Sequence, residues 1–203
     1  MISPVGMRIV RPIGACSAFE AVMPFKPRKK PEPLDEPALY QYAVGALGRQ
    51  MRTVTELKHL MSRRVEPGET GEAKIAAVVA RLLDQRYLDD PAFASTYTRL
   101  RQENQSFGKR RVQQELARKG VHADLVATTL ETAYEQVNEE DLARRYVARK
   151  RIGKPQDDKQ TARLIRRLVG AGFSFAIISK LLKTWDIDCA EADLALPEDE
   201  AEG

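Results

Sequence analysis

This sequence has little of what catalysis and metal binding need. Two cysteines, Cys16 and Cys189, sit at opposite ends of 203 residues, with neither zinc spacing nor a disulfide framework. The two histidines, His59 and His122, stand apart from any Cys, HExxH spacing or nucleophile turn. Asp89 and Asp90 precede Pro91 and read as an N-cap and first-turn acid, without the further carboxylates of a nuclease metal site. Gly108-Lys109 lacks the rest of a phosphate loop. The expectation is a protein that is not an enzyme, with no catalytic residue, cofactor or metal.

Long apolar runs are missing too. No stretch of 18 apolar residues exists, and Arg8 and Arg11 interrupt the mildly apolar start. A cytoplasmic protein without membrane contact follows as the simplest expectation. Aromatic residues make up only 6%, and none form a platform on which single-stranded bases stack. Tyr87, Phe93, Tyr97, Tyr134 and Tyr146 have spacings that suit core packing instead. Alternating Val, Ile, Thr and Tyr runs are scarce, whereas Ala, Leu, Arg, Glu and Gln dominate, so the fold class is all-α.

Proline and charge mark the ends. Residues 1–37 hold seven of the eleven prolines, which excludes regular helix or strand and gives a disordered basic arm. Residues 191–203 carry six acids and no base. The rest of the chain has 33 Lys and Arg against 23 Asp and Glu, a balance of +10. Such a basic body suits a polyanionic partner, and the tail either competes for that surface or only aids solubility.

Between these ends the pattern gives helices at 38–48, 53–65, 70–84, 90–104, 109–119, 122–136, 139–151, 159–170 and 174–185. Thr53, Asp89, Asn138 and Ser174 suit N-caps, and Gly48, Gly120 and Gly172 suit helix C-termini.

The chain also repeats itself. Val112, Leu116, Gly120 and Val121 recur 52 residues later as Leu164, Leu168, Gly172 and Phe173. Leu125, Val126 and Leu130 recur as Ile177, Ile178 and Leu182. Phe93, Ala94 and Tyr97 match Leu142, Ala143 and Tyr146, and Leu57 and Met61 match Val112 and Leu116 more loosely. A unit of about fifty residues is marginal alone, but stacked units bury each other's open faces. The expectation is an elongated, curved array of three tandem three-helix repeats at 38–88, 89–137 and 138–187, with an acidic disordered tail from 188 to 203.

At about 100° per residue, Val112 and Leu116 face inward while Arg111 and Arg118 face outward, with Gln114 between them and Arg110 nearby. In the next repeat Arg163 takes the angle of Arg111, Arg166 that of Gln114, and Arg167 replaces Glu115. Arginine suits bidentate contact with phosphate or carboxylate. Lys109 and, from the first helices, Arg99, Arg101, Arg144 and Arg145 extend the candidate polyanion contacts, several within reach of Glu103, Glu115 or Glu140.

The segments "TVTELKHLM", "LLDQRYLDDPAFASTYTRLR", "GKRRVQQELARKGV" and "LVGAGFSFAIISKLL" together resemble the RecX family over residues 38–185. The resemblance implies a regulator that binds the RecA nucleoprotein filament and mainly inhibits recombinase, ATPase and coprotease activity, limiting recombination and the SOS response; a monomer is expected. The basic residues themselves give the expectation of weaker, salt-dependent binding to single- or double-stranded DNA, dominated by backbone electrostatics. The alternative is a general DNA-binding architectural repeat protein acting without RecA. Thr53 and Thr55 depart from the Arg-Ser-rich start usual in the family, and "RRVEPGETGEA" lacks its Lys-x-x-Gly-Phe ending.

Overall fold

A computed structural model describes residues 32–187. The Pro-rich arm up to Pro31, both cysteines and the acidic tail lie outside the described residues. Within them the secondary structure is entirely helical: α1 (Glu36–Arg49), α2 (Val54–Ser62), α3 (Glu69–Asp84), α4 (Asp90–Gln105), α5 (Lys109–Arg118), α6 (Ala123–Tyr134), α7 (Glu139–Arg149), α8 (Asp158–Gly170) and α9 (Phe175–Lys183).

Local chemistry sets these limits. The side chains of Asp35, Thr53, Asp89, Asn138, Asp157 and Ser174 accept first-turn amides of their helices, each worth about 1 kcal/mol. Thr53 and Glu56 form a reciprocal capping box. Gly120 and Gly172 follow α5 and α8 at φ of 75° and 91°, left-handed values that a Cβ disfavours. Gly48 differs from the expectation. It lies inside α1, which runs on to Arg49 and ends at an extended Gln50.

The helices pack in consecutive threes: α1–α3, α4–α6 and α7–α9, here units 1, 2 and 3. Unit 1 buries its own core of Leu39, Ala43, Ala46, Leu57, Met61, Ile75, Val78, Val79, Leu82 and Leu88. Units 2 and 3 share one continuous core, from Phe93 to Leu182. Every repeated position from Val112 to Val121 and from Leu164 to Phe173 that carries an apolar side chain is buried. Each such side chain contributes about 1.5–3 kcal/mol. Tyr146 links the two units, with its ring 6.4 Å from Phe107 and 5.9 Å from Phe173. Tyr134 closes the linker by donating its hydroxyl to Phe107 O at 2.8 Å. Tyr87 departs from its expected core role and is 56% exposed, because it lies in the α3–α4 turn rather than on a helix face.

One joint recurs along the array. The carbonyl just after each unit's second helix receives a donor from the preceding segment. Thr53 Oγ1 donates to Lys119 O at 2.6 Å, and Thr55 Oγ1 to Gly120 O at 3.1 Å. Gly108 N donates to Ala171 O at 2.9 Å. In unit 1 the corresponding acceptor is Arg64 O, filled by Leu34 N at 2.7 Å. So α2 abuts the end of α5, and α5 abuts the end of α8. Gly172 has no room for a Cβ, which would run into the backbone of Arg111. The first joint adds polar ties: Val54 N to Asp90 Oδ1 at 3.0 Å, and Lys119 Nζ to Glu56 Oε1 at 2.7 Å.

A candidate polyanion-binding face

The outward faces of α5 and α8 share a backbone arrangement but not a charge arrangement. In unit 2 the hub is Glu115, whose side chain is only 13% exposed. Its carboxylate accepts from Tyr97 Oη at 2.7 Å and from Arg111 Nε at 2.9 Å. Arg101 Nε stands 2.8 Å away as a charge contact not aligned for a hydrogen bond, while Arg101 Nη2 donates to Tyr97 Oη at 2.7 Å. Burial alone would raise the Glu115 pKa. The Tyr97 hydroxyl and the two guanidiniums outweigh burial and hold it below the ordinary glutamate range. Burial and the Glu115 charge push Tyr97 up, against the pull of Arg101. Burial opposes the Arg101 charge, yet Tyr97 and Glu115 raise its pKa overall. Arg101 also lies over the Tyr97 ring at 4.6 Å, and Arg111 over Phe107 at 5.7 Å.

Unit 3 puts Arg167 where unit 2 has Glu115. Arg163 and Arg167 are therefore a like-charged pair one helical turn apart. They are exposed, as is Arg166, and among the described residues none of the three is in an ion pair. Like charges four apart on a helix repel by a few tenths of a kcal/mol, ~0.2–0.5, so a bound anion would relieve them.

The remaining candidates divide the same way. Arg99 pairs with Glu103 at 3.2 Å, and Arg144 reaches both Glu140 and Asp141. Exposed Arg110, Arg118 and Arg145 and half-buried Lys109 make no ion pair among the described residues. One cation escaped the sequence reading. Lys154, in the α7–α8 linker, lines a hollow together with Arg163 and Arg167. Helical periodicity cannot flag a linker residue, so no pattern pointed to it.

No group of three or more His, Cys, Asp or Glu among the described residues is placed to hold a metal. No helix among them is long and apolar enough to cross a membrane.

Comparison with known proteins agrees with this architecture. A family described as "RecX, second three-helix domain" matches residues 89–130, within unit 2. A regulatory protein RecX of Myxococcus xanthus is 34% identical over 76% of this chain and 89% of that one. Another, from Oceanobacillus iheyensis, is 26% identical over 72% of this chain but 53% of its own length. Two solved structures share the fold. A regulatory protein RecX superposes with a TM-score of 0.60 at 20% identity, over 73% of this chain and 71% of that one. RecX from Lactobacillus salivarius gives 0.56 at 22% identity, over 74% and 96%. With a relative above 30% identity matched across most of its length, and the all-helical array in place, this chain belongs to the RecX family of regulatory proteins.

Proposed function

We propose that this protein binds the RecA nucleoprotein filament and restrains it, limiting strand exchange, ATP hydrolysis and coprotease action. Unit 3 supplies the main electrostatic contact. The observation that supports this most is the exposed set Arg163, Arg166 and Arg167, without ion pairs among the described residues, on a helix whose end abuts the start of α5. A filament presents phosphate and acidic protein surface at regular intervals. Units joined end to end meet such a surface at more than one point, and combined weak contacts give avidity.

Family membership supports the regulatory role, and the charge distribution supports an anionic partner. Titration of RecA's single-stranded-DNA-dependent ATPase tests the proposal. The expected result is suppression at a small fraction of the RecA concentration. Suppression only when protein suffices to coat the DNA would favour the architectural DNA-binding reading. No suppression at any ratio would remove the proposal.

A further inference from the structure

The α7–α8 linker builds something that unit 2 lacks. Between α4 and α5 the linker is only Ser106, Phe107 and Gly108. Between α7 and α8 it runs from Lys150 to Asp157. Arg151 takes a left-handed φ of 50°, and Ile152 N bonds back to Val147 O at 3.0 Å, closing α7. Ile152 then packs on the core and Pro155 is buried, so the linker is anchored at two points. Asp157 Oδ1 accepts Gln160 N at 2.6 Å and Oδ2 accepts Gln160 Nε2 at 3.1 Å, while Gln156 N donates to Gln160 Oε1 at 3.3 Å.

Arg111, the counterpart of Arg163, lies against Gly172 of the following unit. No unit among the described residues docks on α8 in that way. A hollow of about 220 Å³ opens there instead, lined by Lys154, Gln160, Arg163 and Arg167 on Gly153, Pro155 and Leu164. No carboxylate lines it. Asp157, which caps α8, is held by the amide groups of Gln160.

The geometry points to this hollow as a binding site for a backbone phosphate of a nucleic acid strand. The inference rests on the reading of unit 3 as the anion-facing end of the array. Three cations without a lining acid exceed what one carboxylate needs, whereas a phosphate offers several acceptor oxygens to two guanidiniums and an ammonium. The volume is several times the ~30 Å³ share of one liquid water, so the group enters with part of its hydration. Exposed Arg151, Lys159 and Arg166 lie next to lining residues in sequence and add positive charge to the same end of unit 3.

The test uses the full chain without RecA and a fluorescently tagged single-stranded oligonucleotide, read by anisotropy over a salt series. Arg167→Glu restores the Arg–Glu spacing of Arg111 and Glu115, so helix content and melting temperature should hold. Affinity should fall about tenfold and the log–log salt slope should lose about one phosphate contact. Lys154→Gln should weaken binding severalfold, and Arg118→Glu, at an exposed position of α5, less than twofold. Equal losses at positions 118 and 167, or none at 154 and 167, would overturn the site. Micromolar binding of inorganic phosphate that Lys154→Gln and Arg167→Glu abolish, together with oligonucleotide affinity that neither variant changes, would assign the hollow to free phosphate and overturn the strand assignment. The ATPase titration stands apart. A wild-type chain that leaves RecA untouched sinks the filament proposal but not the hollow, and the anisotropy result does the reverse.

Discussion

Units 2 and 3 are copies of one three-helix design, yet one residue divides their electrostatics. Glu115 turns Arg101 and Arg111 of unit 2 into parts of a half-buried network with Tyr97. At the same place unit 3 carries Arg167, leaving Arg163 and Arg167 exposed. The lesson is that a repeated arginine is not a repeated function. Whether a guanidinium is available to a partner depends on what stands four residues along the helix. The same contrast separates the joints. Units 2 and 3 are fused through Phe107, Tyr146 and Phe173, while units 1 and 2 meet through threonine hydroxyls and one ion pair.

The sharpest way to break the comparison is to remove its hub. Glu115→Gln should destabilise the fold by about 2–3 kcal/mol, since two guanidiniums lose their charge partner in a partly desolvated site. Arg167→Gln should move stability by less than about 0.5 kcal/mol, as an exposed change that relieves repulsion. Chemical denaturation of the two variants beside the parent measures the difference.

The same hub gives a pH signature. Glu115 has a folded pKa below its unfolded value, so its stabilisation is complete above the unfolded value, ~4.3. It is lost as pH falls through the folded pKa. Melting curves of parent and Glu115→Gln should therefore converge on acidification, and a constant gap at all pH values would contradict the network.

The joints should respond next. Gly172→Val forces a β-branched residue into left-handed backbone against Arg111, at about 2 kcal/mol or more. Thr53→Val removes a cap and the donor to Lys119 O, and should cost about 1–2 kcal/mol. Comparing their unfolding transitions shows whether the apolar joint is the more sensitive of the two.

Much of this was legible in the sequence, because short-range chemistry carries it. The helices lie within a few residues of the expected spans, and Thr53, Asp89, Asn138 and Ser174 all cap as their side chains suggest. The pairing of arginines with Glu103, Glu115 and Glu140 also follows from helical spacing. Long-range placement was not legible. Nothing local ties Thr55 to Gly120, or Asp90 to Val54. The hydroxyls that depart from the usual start of the first repeat turn out to make the joint. Lys154 joins the arginines only because the linker folds back over α8, a consequence of the left-handed turn at Arg151 and the anchoring of Ile152 and Pro155. Gly48 misled because glycine also occurs inside helices, and only the extended Gln50 ends α1.

The most direct test sets the two units against each other on the filament itself. Arg163→Gln with Arg166→Gln is compared with Arg99→Gln with Arg111→Gln, by the concentration that half-suppresses RecA's single-stranded-DNA-dependent ATPase. The account predicts a rise of about tenfold or more for the unit 3 pair and less than about twofold for the unit 2 pair. Equal rises, or a larger one for unit 2, would contradict it.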